Sequence, residues 1–188
     1  MKTLFLAALV AVVATTSSAA SLIYTGTRTI GTGSVSLSIT TDGTIGVLSD
    51  SNVLDWNIAM LEGSDSFSLF GPLSGNNSGL SISGAALSAT ATDLSFDFSA
   101  GSGYALFQAP NINSGQTFYC VQVLGCFDFV QPGEAMDPRM NFSFTSTPQS
   151  GSVILASTGG ESGVPEPATW STLAAGLAFL AVRRARNR

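Results

Sequence analysis

The chain has 188 residues, of which 45% are apolar and only 10% charged, and a formal net charge of −5. That length fits one domain plus processing segments, and the charged share is far below the ~25% of an ordinary soluble domain. There is no histidine, and Lys2 is the one lysine. Ser-His-Asp and Cys-His nucleophiles, Schiff-base lysines beyond residue 2 and phosphate loops ending in Lys-Ser or Lys-Thr are therefore excluded.

The first 21 residues read MKTLFLAALVAVVATTSSAAS. Lys2 supplies a positive start, and residues 4–14 form an unbroken apolar run. That run has the length of a signal h-region and is too short to span a bilayer. Small residues at 18–20 suit signal peptidase, with cleavage expected between Ala20 and Ser21. Residues 1–20 are thus a signal peptide, and the chain is expected to be exported.

Residues 21–155 form the body. Between Ser21 and Gly163, Arg28 and Arg139 stand against eleven Asp and Glu, a charge near −9. Such a surface has no footprint for nucleic acid, and that partner class is excluded. The body reads as strands with period-two alternation. Residues 34–40 alternate without error. Asp42-Gly43 then signals a hairpin into a strand over 44–48. Trp56, Ile58 and Met60 share one face, and Phe67 and Leu69 the next. After a Gly/Asn/Ser loop at 74–79, strands restart at Leu80 and Ile82, at 87–91, at Leu94, Phe96 and Phe98, and at Tyr104, Leu106 and Gln108. Further strands are read at 118–124, 140–144 and 153–155, and residues 131–139, with two prolines and a glycine, read as a long loop. No amphipathic helix precedes residue 168. Nine or ten short strands of this kind predict an all-β fold, an antiparallel β-sandwich or jelly roll, with a closed barrel as the alternative. Residues 156–163 read as a flexible spacer.

The acidic residues suggest little chemistry. Asp93 and Asp97 share a strand face, but four residues along a strand separate them by ~13 Å. A two-carboxylate glycosidase uses about 5–9.5 Å. Glu134 with Asp137 is the other pair to weigh. Asp50, Asn52 and Asp55 are weak calcium candidates, because they place oxygens close together where calcium wants six to eight. Their spacing is not an EF-hand loop, and turn chemistry explains them equally. Trp56 and Tyr104 are the aromatics that could stack on a sugar ring, yet each is in phase with apolar neighbours. No catalytic residue, metal site or cofactor is assigned. Cys120 and Cys126, in an exported chain, read as a disulfide. The short loop it closes is worth ~2 kcal/mol on the chain-entropy model, and two buried thiols are the alternative.

The last segment reads GVPEPATWSTLAAGLAFLAVRRARNR. Val164-Pro165-Glu166-Pro167 is held extended, because each proline fixes φ and lacks an N–H. Residues 168–182 carry no charge and as a helix would reach ~22 Å, a short transmembrane span. Trp170 and the cluster Arg183, Arg184, Arg186 and Arg188 are interface anchors, with the arginines on the cytoplasmic side. This order of motif, apolar helix and arginine tail resembles the PEP-CTERM sorting domain, over residues 164–188 alone. The resemblance implies a Gram-negative bacterium, processing by an exosortase, an inner-membrane anchor until the tail is cut, and a final place at the cell surface or in an extracellular matrix with exopolysaccharide. It implies nothing for the body, for which the residues leave three readings: a non-enzymatic matrix protein, a carbohydrate-binding module, or a two-carboxylate glycosidase.

Signal cleavage predicts a mature N-terminus at Ser21, checked by N-terminal sequencing of envelope-fraction protein; retention of Met1 or Lys2 would refute it.

Overall fold

The computed structural model describes residues 20–126, 131–139 and 144–159. The expected signal peptide up to residue 19, and the expected sorting motif, apolar helix and arginine tail, lie outside these residues. The described chain is all-β. It holds β1 (Leu22–Ile30), β2 (Gly33–Thr41), β3 (Gly46–Val47), β4 (Val53–Glu62), β5 (Asp65–Phe70), β6 (Gly79–Gly84), β7 (Leu87–Ala89), β8 (Asp93–Asp97), β9 (Gly103–Gln108), β10 (Phe118–Leu124), β11 (Gly133–Asp137), β12 (Thr145–Pro148) and β13 (Ser152–Ser157). A single 3-10 turn, Asp50–Asn52, is the other regular element among the described residues.

Every strand pair is antiparallel. Eight strands form one sheet in the order β3-β7-β8-β13-β1-β2-β4-β5, and five form a second in the order β12-β11-β10-β9-β6. Alternation decides which face meets the partner sheet. In β2 the residues Val35, Leu37 and Ile39 are buried, while Ser34, Ser36, Ser38 and Thr40 turn outward. They oppose Thr29, Thr27, Thr25 and Ile23 on β1. One core fills the space between the sheets. Tyr24, Leu37, Ile58 and Phe96 come from the larger sheet, and Phe107, Tyr119, Val121 and Met136 from the smaller. Trp56 meets Phe107 edge-on with ring centroids 5.6 Å apart, joining the two layers. A second, smaller cluster of Leu106, Phe118, Cys120 and Ala135 lies on the opposite face of the five-stranded sheet.

Three expectations are corrected. Asp42-Gly43 does not turn a hairpin into a strand over 44–48. Thr44 N bonds Asp42 Oδ1 at 2.9 Å and Asp42 N bonds Asn52 O at 3.0 Å, so the chain makes an excursion and β2 pairs with β4. The short β3 pairs with β7 at the far end of the same sheet. Only residues 42–45 separate β2 from β3. They span at most ~18 Å, whereas five flat strand spacings need ~24 Å, so this sheet must curl.

The expected loop over 131–139 contains β11 instead, and all five of its residues are buried. Pro132 and Pro138 flank the strand and do not interrupt it. Third, β13 runs two residues beyond Leu155. A bulge between Ile154 and Ala156 lets both Leu155 and Ala156 turn inward, and Ser157 still pairs with Thr25 and Asp93. Gly26 is required beside this bulge, since a Cβ there would sit 2.5 Å from Leu155 O. The strand expected at 140–144 falls mostly on residues outside the description; β12 begins at Thr145.

Phe96 is fully buried, with its ring centroid 4.8 Å from that of Phe98. Phe96→Ala should cost about 3–5 kcal/mol in denaturant unfolding, whereas Thr27→Ala on the outer face should stay within about 0.5 kcal/mol.

Candidate functional site

A buried polar cluster forms where β1 of one sheet faces β11 of the other. Glu134 is the second residue of β11, and its side chain has no solvent exposure. A carboxylate at such a position is tolerable only when paired and hydrogen-bonded. Arg28 on β1 supplies the charge. Its Nε lies 3.2 Å from each carboxylate oxygen, and Nη2 lies 2.5 Å from Oε1. Tyr119, from the neighbouring strand β10, donates its hydroxyl to Oε2 at 3.1 Å, and Gln149 Nε2 donates to Oε1 at 3.1 Å. Arg28 Nη1 also reaches Ile154 O at 3.3 Å, tying the cluster to β13.

The electrostatics follow from burial and these bonds. Hydrogen bonds from the guanidinium to Glu134 raise the pKa of Arg28. Burial, reinforced by the adjacent Glu134 charge, pushes the Tyr119 phenol well above its usual value of 10.0. Beside the cluster a cleft of about 180 Å³ opens, lined by Gln131, Pro132, Gly133, Ser146, Thr147 and Pro148 together with Glu134. Both Glu134 oxygens are occupied by donors, so the carboxylate has no free lone pair aimed at a substrate. The arrangement acts as a clamp between sheets.

Arg139 repeats the pattern. Following β11, it places Nη2 2.5 Å from Glu62 Oε2 and Nε 2.9 Å from Asp65 Oδ2, at the β4–β5 turn of the other sheet. Both body arginines therefore bridge the two sheets. Sequence reasoning missed this role, although a body with two cations and eleven acids signals that each cation has a specific partner.

The anticipated site residues are scattered. Glu134 and Asp137 are three apart on one strand and face opposite ways: Glu134 meets Tyr119 in the core, while Asp137 aligns with Phe118 on the other face. Asp93 accepts from Ser157 Oγ at 2.7 Å and Thr92 Oγ1 at 2.8 Å, and Asp97 accepts from Ser99 N at 2.9 Å. These bonds lower the pKa of each carboxyl.

Of the calcium candidates, Asp50 opens the 3-10 turn. Asn52 Nδ2 donates to Asp42 Oδ2 at 3.0 Å. Asp55 Oδ1 instead accepts from Leu73 N at 3.1 Å and Ser74 Oγ at 3.2 Å, in a separate network. Trp56 is 6% exposed and donates Nε1 to Ser78 Oγ at 2.9 Å. Tyr104 is half-buried beside the smaller cluster. Cys120 and Cys126 lie at disulfide distance, with sulfurs 1.95 Å apart. Ala20 and Ser21 are exposed just before β1. Val164, Pro165, Glu166, Pro167 and the four tail arginines lie outside the described residues.

No protein-family model, no curated protein and no solved structure matches this chain.

Glu134→Gln leaves the mostly buried Arg28 without its counter-charge and should cost about 3 kcal/mol or more; the apolar pair Arg28→Met with Glu134→Leu should recover most of that. Because the Tyr119 pKa is higher in the folded state, its contribution is complete below about pH 10 and declines as pH rises beyond, where the unfolded phenol ionises first. Tyr119→Phe should flatten that alkaline decline, measured by urea unfolding between pH 8 and 11.

Proposed function

We propose that this chain is an exported surface or extracellular-matrix protein without catalytic activity, delivered by an exosortase. The observation that carries the reading is the order, within residues 164–188, of Pro-Glu-Pro, an uncharged stretch of fifteen residues and four arginines. Signal peptidase removes residues 1–20. The stretch at 168–182 then holds the chain in the inner membrane, body outside and arginines inside, by charge bias. A helix this short suits a temporary anchor. It presents the extended motif to the processing enzyme and is discarded with the tail.

The body's chemistry supports a role without catalysis. Glu134 is closed off by its donors, and the other acids considered for glycosidase work either sit on opposite faces of β11 or bond their own local turns. The glycan-binding reading loses its sequence support, since Trp56 is in the core and Tyr104 packs against the smaller cluster. Exopolysaccharide remains the matrix component that this protein would meet.

Replacing Pro165, Glu166 and Pro167 with alanine should leave the anchor and arginines in place and block the cut. The variant should accumulate in the membrane with its tail intact, while wild-type surface protein should end near residues 164–167. C-terminal peptide mass spectrometry decides between them. Wild-type surface protein that still carries residues 183–188 would sink the proposal.

A further inference from the structure

We propose that the free edge of β5 is a strand-addition site for a second copy of this chain, held closed by the side chain of Asn77. The inference is independent of how the chain is sorted. β5 is the last strand of the eight-stranded sheet, paired on one side with β4. Antiparallel geometry sends the peptide groups of alternate residues to opposite sides of a strand. On β5 the groups of Ser66, Ser68 and Phe70 point away from β4. Such a row is a template for another strand unless something covers it.

Asn77 covers it. Its carboxamide behaves as a peptide group of a missing neighbour: Oδ1 accepts from Phe70 N at 2.7 Å, and Nδ2 donates to Ser68 O at 2.9 Å. Phe70 O is taken by Asn77 N at 3.2 Å and Ser78 Oγ at 2.9 Å. The loop that delivers this side chain is itself fastened. Asn76 sits at φ 52°, Gly71 N and Ser74 Oγ each bond Trp56 O at 2.8 Å, and Asp55 Oδ1 accepts from Leu73 N and Ser74 Oγ.

The occupant is argued from the strand. β5 reads Asp-Ser-Phe-Ser-Leu-Phe, rich in strand formers and uncharged after Asp65. Arg139, shared between Glu62 and Asp65, lies 2.9 Å from Asp65 and lessens the repulsion that its charge would exert on an identical edge. Two copies of β5 can pair antiparallel about a twofold axis. That keeps Phe67 and Leu69 of both copies on the core side of one continuous sheet. The other sheet ends are poorer templates: β3 has two residues, β12 is four residues long and ends at Pro148, and β6 has glycine at both ends.

The test uses the full-length chain in detergent, followed by sedimentation velocity with folding checked by circular dichroism. Wild type should be monomeric. Asn77→Ala frees both edge groups, and Asn77→Asp sets a carboxylate oxygen against Ser68 O. Both variants should dimerise at least roughly tenfold more tightly than wild type, since each unmasks backbone groups that can pair across the twofold axis. Adding Ser66→Pro to Asn77→Ala removes a free-edge donor without touching β4 and should restore the monomer. In the Asn77→Ala chain, Ser68→Cys should form an intermolecular cross-link and Ser36→Cys, on the open face of β2, should not. Folded Asn77 variants that stay monomeric, or a dimer indifferent to Ser66→Pro, would overturn the proposal. Should both Asn77 variants fail to fold, Asp55→Ala decides: it loosens the loop from its other end, and a monomer there overturns the proposal equally.

Discussion

The contact between Arg28 and Glu134 sets the terms for the rest of the body. Glu134 lies within a buried strand, where an isolated carboxylate could not remain charged. Its counter-charge comes from the opposite sheet, so the pair forms only when both sheets are in place and in register. Tyr119 and Gln149 complete the shell around it. Such a pair adds little stability over a well-packed apolar contact, but it strongly penalises arrangements that leave one partner unmatched. Arg139 applies the same restriction at the β4–β5 turn. With both body cations facing inward across the sheets, the outer surface is left to carboxylates and hydroxyls.

That division explains the composition. The outer face of the eight-stranded sheet carries Thr25, Thr27, Thr29, Ser34, Ser36 and Ser38 in facing rows. Hydroxyls keep such a surface hydrated without charge, while Thr retains good strand propensity. The few carboxylates sit where turns need acceptors: Asp42, Asp93 and Asp97 all hold local N–H or O–H groups, and their pKa values are lowered by those bonds. Because these pKa values are lowered in the folded state, the stabilising effect is present above about pH 4 and fades as the pH falls below it.

Much of the fold was legible in the residues. β2 and β8 show unbroken alternation because each has one face in the core and one in water. The strand read over 118–124 matches β10 to the residue, since a strand buried on both faces reads as a nearly continuous apolar run, broken here by Gln122 alone. β11 was not legible. It is five residues long, flanked by prolines, and has a glutamate at its second position. Only a partner more than one hundred residues away makes that glutamate a core residue. The turn at Asp42-Gly43 misled for a related reason. Its side chain bonds Thr44 and Asn52, which directs the chain across the curled sheet.

The sequence by itself determined the chain's class and the order of its segments: an N-terminal segment with signal-peptide pattern, a C-terminal segment with sorting-tail pattern, and between them an all-β body poor in charge. These features are local, because each rests on the identity and order of neighbouring residues. Tertiary structure alone decided which of the acids are buried, which sheets each arginine bridges, that Trp56 lies in the core while Tyr104 packs half-buried against the smaller cluster, and that Asn77 seals a sheet edge. Those outcomes depend on contacts between residues distant in the chain. They come into being only when the two sheets close over one core and leave a charged or polar group no partner but the one the fold brings to it.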